Sequence, residues 1–380
     1  MPSKTIRIIR KGTVFQGESG TCQQSSSFPA ATILPDGRWI CVWRSAPRKE
    51  SCPQEIVVYS VSDDEGQTWL EPRPFLPCPS LDGRPGAWRA GACTPVGNSE
   101  VIAVLAWTDH SHPELPFFDP STQSLKDIRL FLTRSSDRGT TWSPAEPIPT
   151  QPDIAAAPMT GPILVLPDGR WACQYETNKR YGSEGPWHHT SRLLFSSDQG
   201  ETWTENIEIT GDPAGRYFWW DQRPGVAPDG SMIDLFWTFD QEKAHYLNVH
   251  ASSSSDGRTW SPPRDIGFPG QPSQPVPLSD HRWLMTWIDR EGAPTIKARL
   301  SEDNGQTWPA DSEVVLVQGG IPTQTVRKDS MNDAWEEMTA FSMGFPGTAL
   351  GPDGRILVTY YHGDTTDQTG IYWCLLSVDD

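Results

Sequence analysis

A β-propeller of six four-stranded antiparallel blades, closed by its own N-terminal strand, is the architecture this sequence predicts. Three observations carry the expectation: a hairpin repeat, a second turn repeat interleaved with it, and a blade that lacks one strand at the C-terminus while the N-terminus has one to spare.

The first repeat is an apolar stretch, a P-D-G turn and an alternating apolar stretch. It reads ILPDGRWICVW (33–43), VLPDGRWACQY (165–175), VAPDGSMIDLFW (226–237), PLSDHRWLMTW (277–287) and LGPDGRILVTYY (350–361), with a degenerate copy, TPVGNSEVIAVLAW, at 94–107. Pro presets φ, Asp bonds its own backbone and Gly accepts positive φ, so each copy is a turn between two paired strands. Six hairpins are expected.

The second repeat falls between these hairpins. SDDEGQTW (62–69), SSDRGTTW (135–142), SSDQGETW (196–203) and SEDNGQTW (301–308) share S-x-D-x-G-x-T-W. A fifth copy, SSSDGRTW (253–260), keeps Ser253, Gly257 and Trp260 and sets Ser255 at the Asp position. Local bonding by Asp and left-handed Gly explain the pattern as turn chemistry, so these carboxylates are expected to be structural. Two hairpins per unit make one four-stranded blade. The chain ends on a third strand, IYWCLLSVDD (371–380), and TIRIIRKGTVF (5–15) precedes the first hairpin without a partner. Pairing the two closes the ring and removes an open edge, and residues 1–380 are expected to form one domain.

The chain has 32 Gly and 36 Pro and a formal charge of −17. That charge excludes nucleic acid as an expected partner, because no excess of Lys and Arg exists to displace phosphate counterions. No apolar run is long enough to span a membrane. No leader-like apolar segment follows Met1, and the seven Cys form neither metal-type pairs nor a disulfide framework. A cytoplasmic protein with reduced thiols is expected, with no metal and no cofactor.

The S-x-D-x-G-x-T-W boxes resemble the Asp boxes of the sialidase, or BNR-repeat, superfamily, and the resemblance spans the whole chain. APMTGPILVLPDGRW (157–171) is similar to the third blade of that family, and IKARLSEDNGQTW (296–308) to the stretch that ends its fifth. The resemblance implies the propeller fold and a carbohydrate partner. At the positions that carry sialidase chemistry the sequence departs from the family. Where the family's first blade has the Arg that binds the sialic acid carboxylate, this chain has Ser27. The nucleophilic Tyr, eight residues before the Asp of the sixth P-D-G turn, is matched by Phe345, and the Glu that polarises it by Asp221. The acid/base Asp of the first-blade loop has no match; Glu50 is the nearest carboxylate. Ordinary sialidase activity is not expected.

P-D-G turns and boxes share one rim, so the working loops are expected on the other. Of eighteen Trp, five lie off the repeats, and all five (Trp88, Trp187, Trp219, Trp220 and Trp335) fall in opposite-rim segments. Their expected role is stacking on sugar faces. Six of eight His fall in the same loops, among them His110, His188 and His362. His110 and His362 are expected to contact substrate, and His188 to move a proton. Arg89 and Arg223 open inner strands and Arg44 ends a second strand, where each guanidinium is placed to grip an anionic or hydroxyl group. Asp221 and Glu176 begin or end strands and are the leading catalytic carboxylates, with Glu50 beside them. Hydrolysis of a terminal, possibly anionic, sugar needs such a carboxyl pair. Elimination from a uronate by a His or Tyr base, or glycan binding without turnover, are the alternatives.

Overall fold

The turns form as their chemistry dictates. In the first P-D-G hairpin, Leu34 N donates to Arg38 O (2.8 Å), Arg38 N to Asp36 Oδ1 (3.1 Å), and Gly37 sits at φ +92°. The fifth copy has no glycine there, and His281 takes the left-handed position at φ +66°. The computed structural model describes residues 5–150, 156–278, 281–322 and 328–379.

Six antiparallel sheets follow in order, each built outward from its first strand. Blade one is Ser25–Ile33, Trp39–Ala46, Ile56–Ser62 and Arg73–Pro74; blade two is Gly86–Pro95, Val101–Asp109, Ile128–Ser135 and Glu146–Pro147. Blade three runs from Leu164–Val165 through Trp171–Glu176 and Thr190–Ser196 to Glu205–Gly211. Blade four contains Tyr217–Val226, Met232–Asp240, Asn248–Ser254 and Arg264–Pro269. In blade five the inner strand is split into Gln271–Pro272 and Val276–Pro277, followed by Trp283–Asp289, Thr295–Ser301 and Val314–Gln318. Blade six contains Met343–Leu350, Ile356–His362 and Gly370–Val378, and its fourth strand is Ile6–Phe15. That strand pairs from Ile6 opposite Val378 to Phe15 opposite Ile371, as the sequence predicts.

Each Asp box is a bonded turn. Thr68 N and Thr68 Oγ1 donate to the two oxygens of Asp64 (2.8 and 2.7 Å), and Gly66 N donates to Ser62 Oγ (2.8 Å). Gly66 sits at φ +79° against two tryptophans; a Cβ there would lie 2.6 Å from Trp39. The fifth box departs from the sequence reading. Ser254 and Asp256, rather than Ser253 and Ser255, make the turn: Arg258 N and Thr259 N donate to Asp256 Oδ1 (2.8 and 3.0 Å), and Gly257 N to Ser254 Oγ (2.9 Å). The box is one residue shorter, which the one-residue offset between Asp and Gly permits without losing the amide cap.

Apolar side chains fill the seams between blades. Trp39, Trp43 and Val58 of blade one, for example, pack with Leu357, Tyr361, Ile371 and Trp373 of blade six. The connection from blade five to blade six contains the helix Met331–Ala340, capped by Ser330 Oγ accepting from Asp333 N. Trp335 of this helix stacks on Phe118 of blade two (4.7 Å, 10°) and lies 6.4 Å from Trp187 and 5.9 Å from Trp220. Asn332 Nδ2 donates to Pro120 O (2.9 Å). A helix that leaves the seam of blades five and six and rests on blades two to four crosses the mouth of the ring.

Candidate functional site at the mouth of the propeller axis

The inner strands of blades one, two, four and six break register at one equivalent place, between Ser27 and Ala30, Trp88 and Ala90, Trp220 and Arg223, and Gly344 and Gly347. In three of them a non-glycine residue takes positive φ: Phe28 (+54°), Asp221 (+50°) and Phe345 (+52°). Such conformations are costly and persist only where surrounding structure enforces them. A bulge re-aims a side chain out of the pleat, and here the bulges turn theirs onto the axis. Phe28 meets Phe345 edge-on (5.2 Å), Arg89 Cζ lies 5.6 Å from the Phe28 ring, and Arg223 Cζ lies 4.7 Å from Phe345. The last contact joins blades four and six, which are not neighbours, and so crosses the axis.

On the side of blades one and two the site is tightly braced. Glu55 is fully buried and accepts from Arg44 Nε (2.6 Å), Arg89 Nη1 (3.0 Å) and Ser51 Oγ (2.8 Å), with His110 Nε2 at 3.0 Å. Burial alone would raise its pKa, but Arg44 and Arg89 outweigh it and hold the carboxyl well below the usual range. Arg44 also donates to the Arg48 and Glu50 carbonyls, so it fastens the blade-one loop.

On the side of blades four and five, Asp221 is open, its side chain 26% exposed. Gln271 Nε2 donates to its Oδ2, and Arg223 Nη2 stands 3.6 Å from its Oδ1. Arg223 is anchored by the Thr160 carbonyl, and its backbone N donates to Asp234 Oδ1 (2.8 Å). Asp234 lies in the core, where burial pushes its pKa well above the usual carboxylate range.

A third group comes from blade six and its neighbours. Lys49 Nζ bonds the Phe341 carbonyl and lies 2.7 Å from Tyr361 Oη; both side chains are buried. Burial, reinforced by Arg290, pulls the lysine pKa well below its ordinary value, and burial pushes the phenol up to about 12. Gly344 makes the room: a Cβ there would run into Arg290 Nη2 and lie 3.2 Å from Tyr361 Oη. Lys49, Glu55, Gln271 and Arg290 lie outside both repeats and Tyr361 closes the last P-D-G hairpin; none carried a functional signal, and all five are recognisable only by their partners.

The predicted residues divide. Asp221, Arg223 and Arg89 meet at the axis. Glu176 lies behind the blade-four inner strand, accepting from Gln222 N (3.3 Å) with His189 Nε2 at 3.3 Å. It thus faces the seam of blades three and four, whereas Asp221 faces blade five. Glu50 is corrected: its carboxylate is 70% exposed, 3.8 Å from Arg48, and the buried carboxylate of that loop is Glu55. His188 is exposed, with its carbonyl accepting from Thr177 Oγ1. His110 is buried against Glu55, and His362 packs on Tyr372 and beside Gly319, away from the axis.

Stacking on sugar does not fit Trp88, Trp187 or Trp220, which are buried. Trp88 Nε1 donates to Leu76 O, Trp187 Nε1 to Thr177 O, and Trp220 stacks on Phe239 (5.3 Å, 13°) beneath the crossing helix. Trp219 and Trp335 are half-buried. Among the described residues, no group of three or more His, Cys, Asp and Glu side chains converges as a metal ion requires.

A family model described as a BNR repeat-like domain matches residues 115–317. Among curated proteins none matches the chain. Among solved structures, a protein of unknown function from Dyadobacter fermentans is similar over 100% of both chains at 19% identity and a TM-score of 0.77. A Hadza microbial sialidase is similar at 18% identity and a TM-score of 0.65, over 96% of this chain and 68% of its own. The α-L-arabinanase of Penicillium chrysogenum is similar at 14% identity and a TM-score of 0.60, over 97% and 98%. At these identities the likeness concerns the fold. With the family model covering more than half the chain, and the boxes, blade order and ring closure agreeing with it, this chain belongs to the BNR repeat-like family within the sialidase superfamily.

Proposed function

We propose that the chain is a carbohydrate-active enzyme that hydrolyses a terminal acidic sugar from a glycan at the mouth of the axis. The observation that carries this reading is Asp221: a strained bulge delivers an open carboxylate to the axis between Arg223 and Gln271. Strain of this kind is characteristic of residues whose placement matters more than their stability. Asp221 serves as the nucleophile or the base that activates water, the leaving oxygen takes its proton from solvent water, and Arg89 and Arg223 hold the sugar's acidic group. Phe28 and Phe345 supply an apolar floor. Ser27 and Phe345 in place of an arginine and a tyrosine argue against sialosides as substrate, so pure protein is expected not to turn over an aryl sialoside.

Elimination from a uronate is the second reading, favoured by Tyr361, Lys49 and Arg290. A buried phenol beside a lysine and an arginine resembles a proton-transfer pair with an ion to offset the carboxylate charge. A panel of acidic and neutral glycans, scored for reducing ends and for the absorbance of unsaturated uronate, separates the two. Reducing ends without absorbance, abolished in Asp221→Asn, support hydrolysis. Absorbance abolished in Tyr361→Phe supports elimination. Glycan binding with no product of either kind overturns both.

A further inference from the structure

A cavity of about 380 Å³ lies away from the axis. It opens on the same rim, among the loops of blades two and three, and its volume falls in the range of small-molecule sites. Four basic side chains converge on it, Arg84, Lys126, Arg129 and Arg180, in a chain whose formal charge is −17. Its carboxylates are largely engaged. Arg84 Nη1 lies 2.9 Å from both Asp109 Oδ2 and Asp127 Oδ2, and Arg129 Nε lies 2.9 Å from Asp127 Oδ1.

The remaining cations, buried Lys126 and exposed Arg180, line the same cavity. Lys126 Nζ is held by the His112 carbonyl (2.9 Å), which leaves two of its three protons to donate. Arg180 is exposed and has no ion pair among the described residues. Leu115 and Tyr181 add apolar surface, the ring fixed by its hydroxyl donating to Pro116 O (3.0 Å). Phe117 is the partition between this cavity and the axis: its ring carries Arg89 (4.0 Å) on one side, and its carbonyl accepts from Lys126 N (3.0 Å) on the other.

We infer that this cavity is a second carbohydrate subsite, which takes an acidic residue, carboxylate or sulfate, of the same glycan whose terminal sugar enters the axial mouth. The inference rests on the reading of the axis as a sugar site. Lys126 and Arg180 hold the acidic group, and Leu115 and Tyr181 meet the C–H face of the ring.

The test is retention of the whole protein on immobilised oligosaccharides, acidic (uronate-bearing and sulfated) and neutral, at low salt. Wild type should be retained on acidic oligosaccharides in preference to neutral ones. The double variant Lys126→Met/Arg180→Met should bind them roughly tenfold more weakly or worse, the scale of losing one charge-assisted hydrogen bond. Arg180→Glu, an exposed change that leaves the fold intact, should do the same with an unaltered melting temperature. Equal retention of wild type and both variants overturns the subsite, as does wild type that prefers neutral oligosaccharides or retains none. Acidic retention that the variants abolish, in a protein with no turnover on the glycan panel, keeps the subsite and removes the axial hydrolase.

Discussion

Two acidic side chains at the mouth of this propeller, Glu55 and Asp221, are in opposite states. Glu55 is buried and has two arginines, a histidine and a serine around it. Asp221 is partly open; it accepts one hydrogen bond, from the Gln271 side-chain amide, and has one arginine at 3.6 Å. Every oxygen of Glu55 is committed, so it can only position others: it orients Arg89 and ties down the loop that Arg44 also fastens. Asp221 retains the lone pairs that a reacting proton or sugar carbon needs, and the backbone is strained to put it there. Saturation separates a brace from a reactive group more clearly than residue type does.

If the contrast is right, the two should fail differently on mutation. Asp221→Asn should reduce turnover by about 10²–10⁴-fold, the range for losing a positioned acid–base group. Folding should hardly change, since Asn tolerates the left-handed conformation that Asp221 adopts. Steady-state rates alongside a thermal melt measure both, and a large fall in melting temperature with unchanged kcat would reverse the assignment.

Glu55→Gln should behave the other way and cost about 3–5 kcal/mol of stability, because Arg44 is left buried without its counter-ion. Denaturant midpoints report this, and a midpoint equal to wild type would show that Glu55 braces nothing.

A smaller, pH-dependent effect should come from Lys49. Its folded-state pKa is lowered by burial and by Arg290, Arg44 and Arg89, against Asp367. Between that lowered value and the unfolded value of about 10.4, the unfolded chain holds a proton that the folded chain lacks, so stability rises with pH across the window. Lys49→Met should flatten the rise; an unchanged slope would mean that Lys49 stays charged when folded.

The smallest effect is expected at the opposite rim. Asp303→Ala removes bonds from Thr307 N, Thr307 Oγ1 and Ser301 Oγ in one exposed turn, worth about 1 kcal/mol in total given solvent competition. Activity should be unaffected, and any loss beyond the melting shift would bring that rim into the function.

The sequence alone determined the ring. P-D-G turns and Asp boxes are closed by hydrogen bonds between residues no more than four positions apart, so their bonds are written in local order, and repetition counts the blades. The closing strand was legible for the same reason, as the one piece a count of hairpins left over. Asp221 was also legible from its fixed distance to a turn, and Arg223 and Arg89 from their places at the entries of inner strands. What the tertiary structure alone decided was burial and saturation. Glu50 and Glu55 share one loop, and only the approach of Arg44 from one strand and Arg89 from the next blade makes the second the brace. Trp187 and Trp220 read as exposed platforms until a helix more than a hundred residues later lies across them. Tyr361 reads as the end of an ordinary strand until Gly344 opposite leaves space for its hydroxyl and Lys49 arrives from blade one. These outcomes depend on contacts between distant segments, and neither spacing nor composition encodes which distant groups will meet.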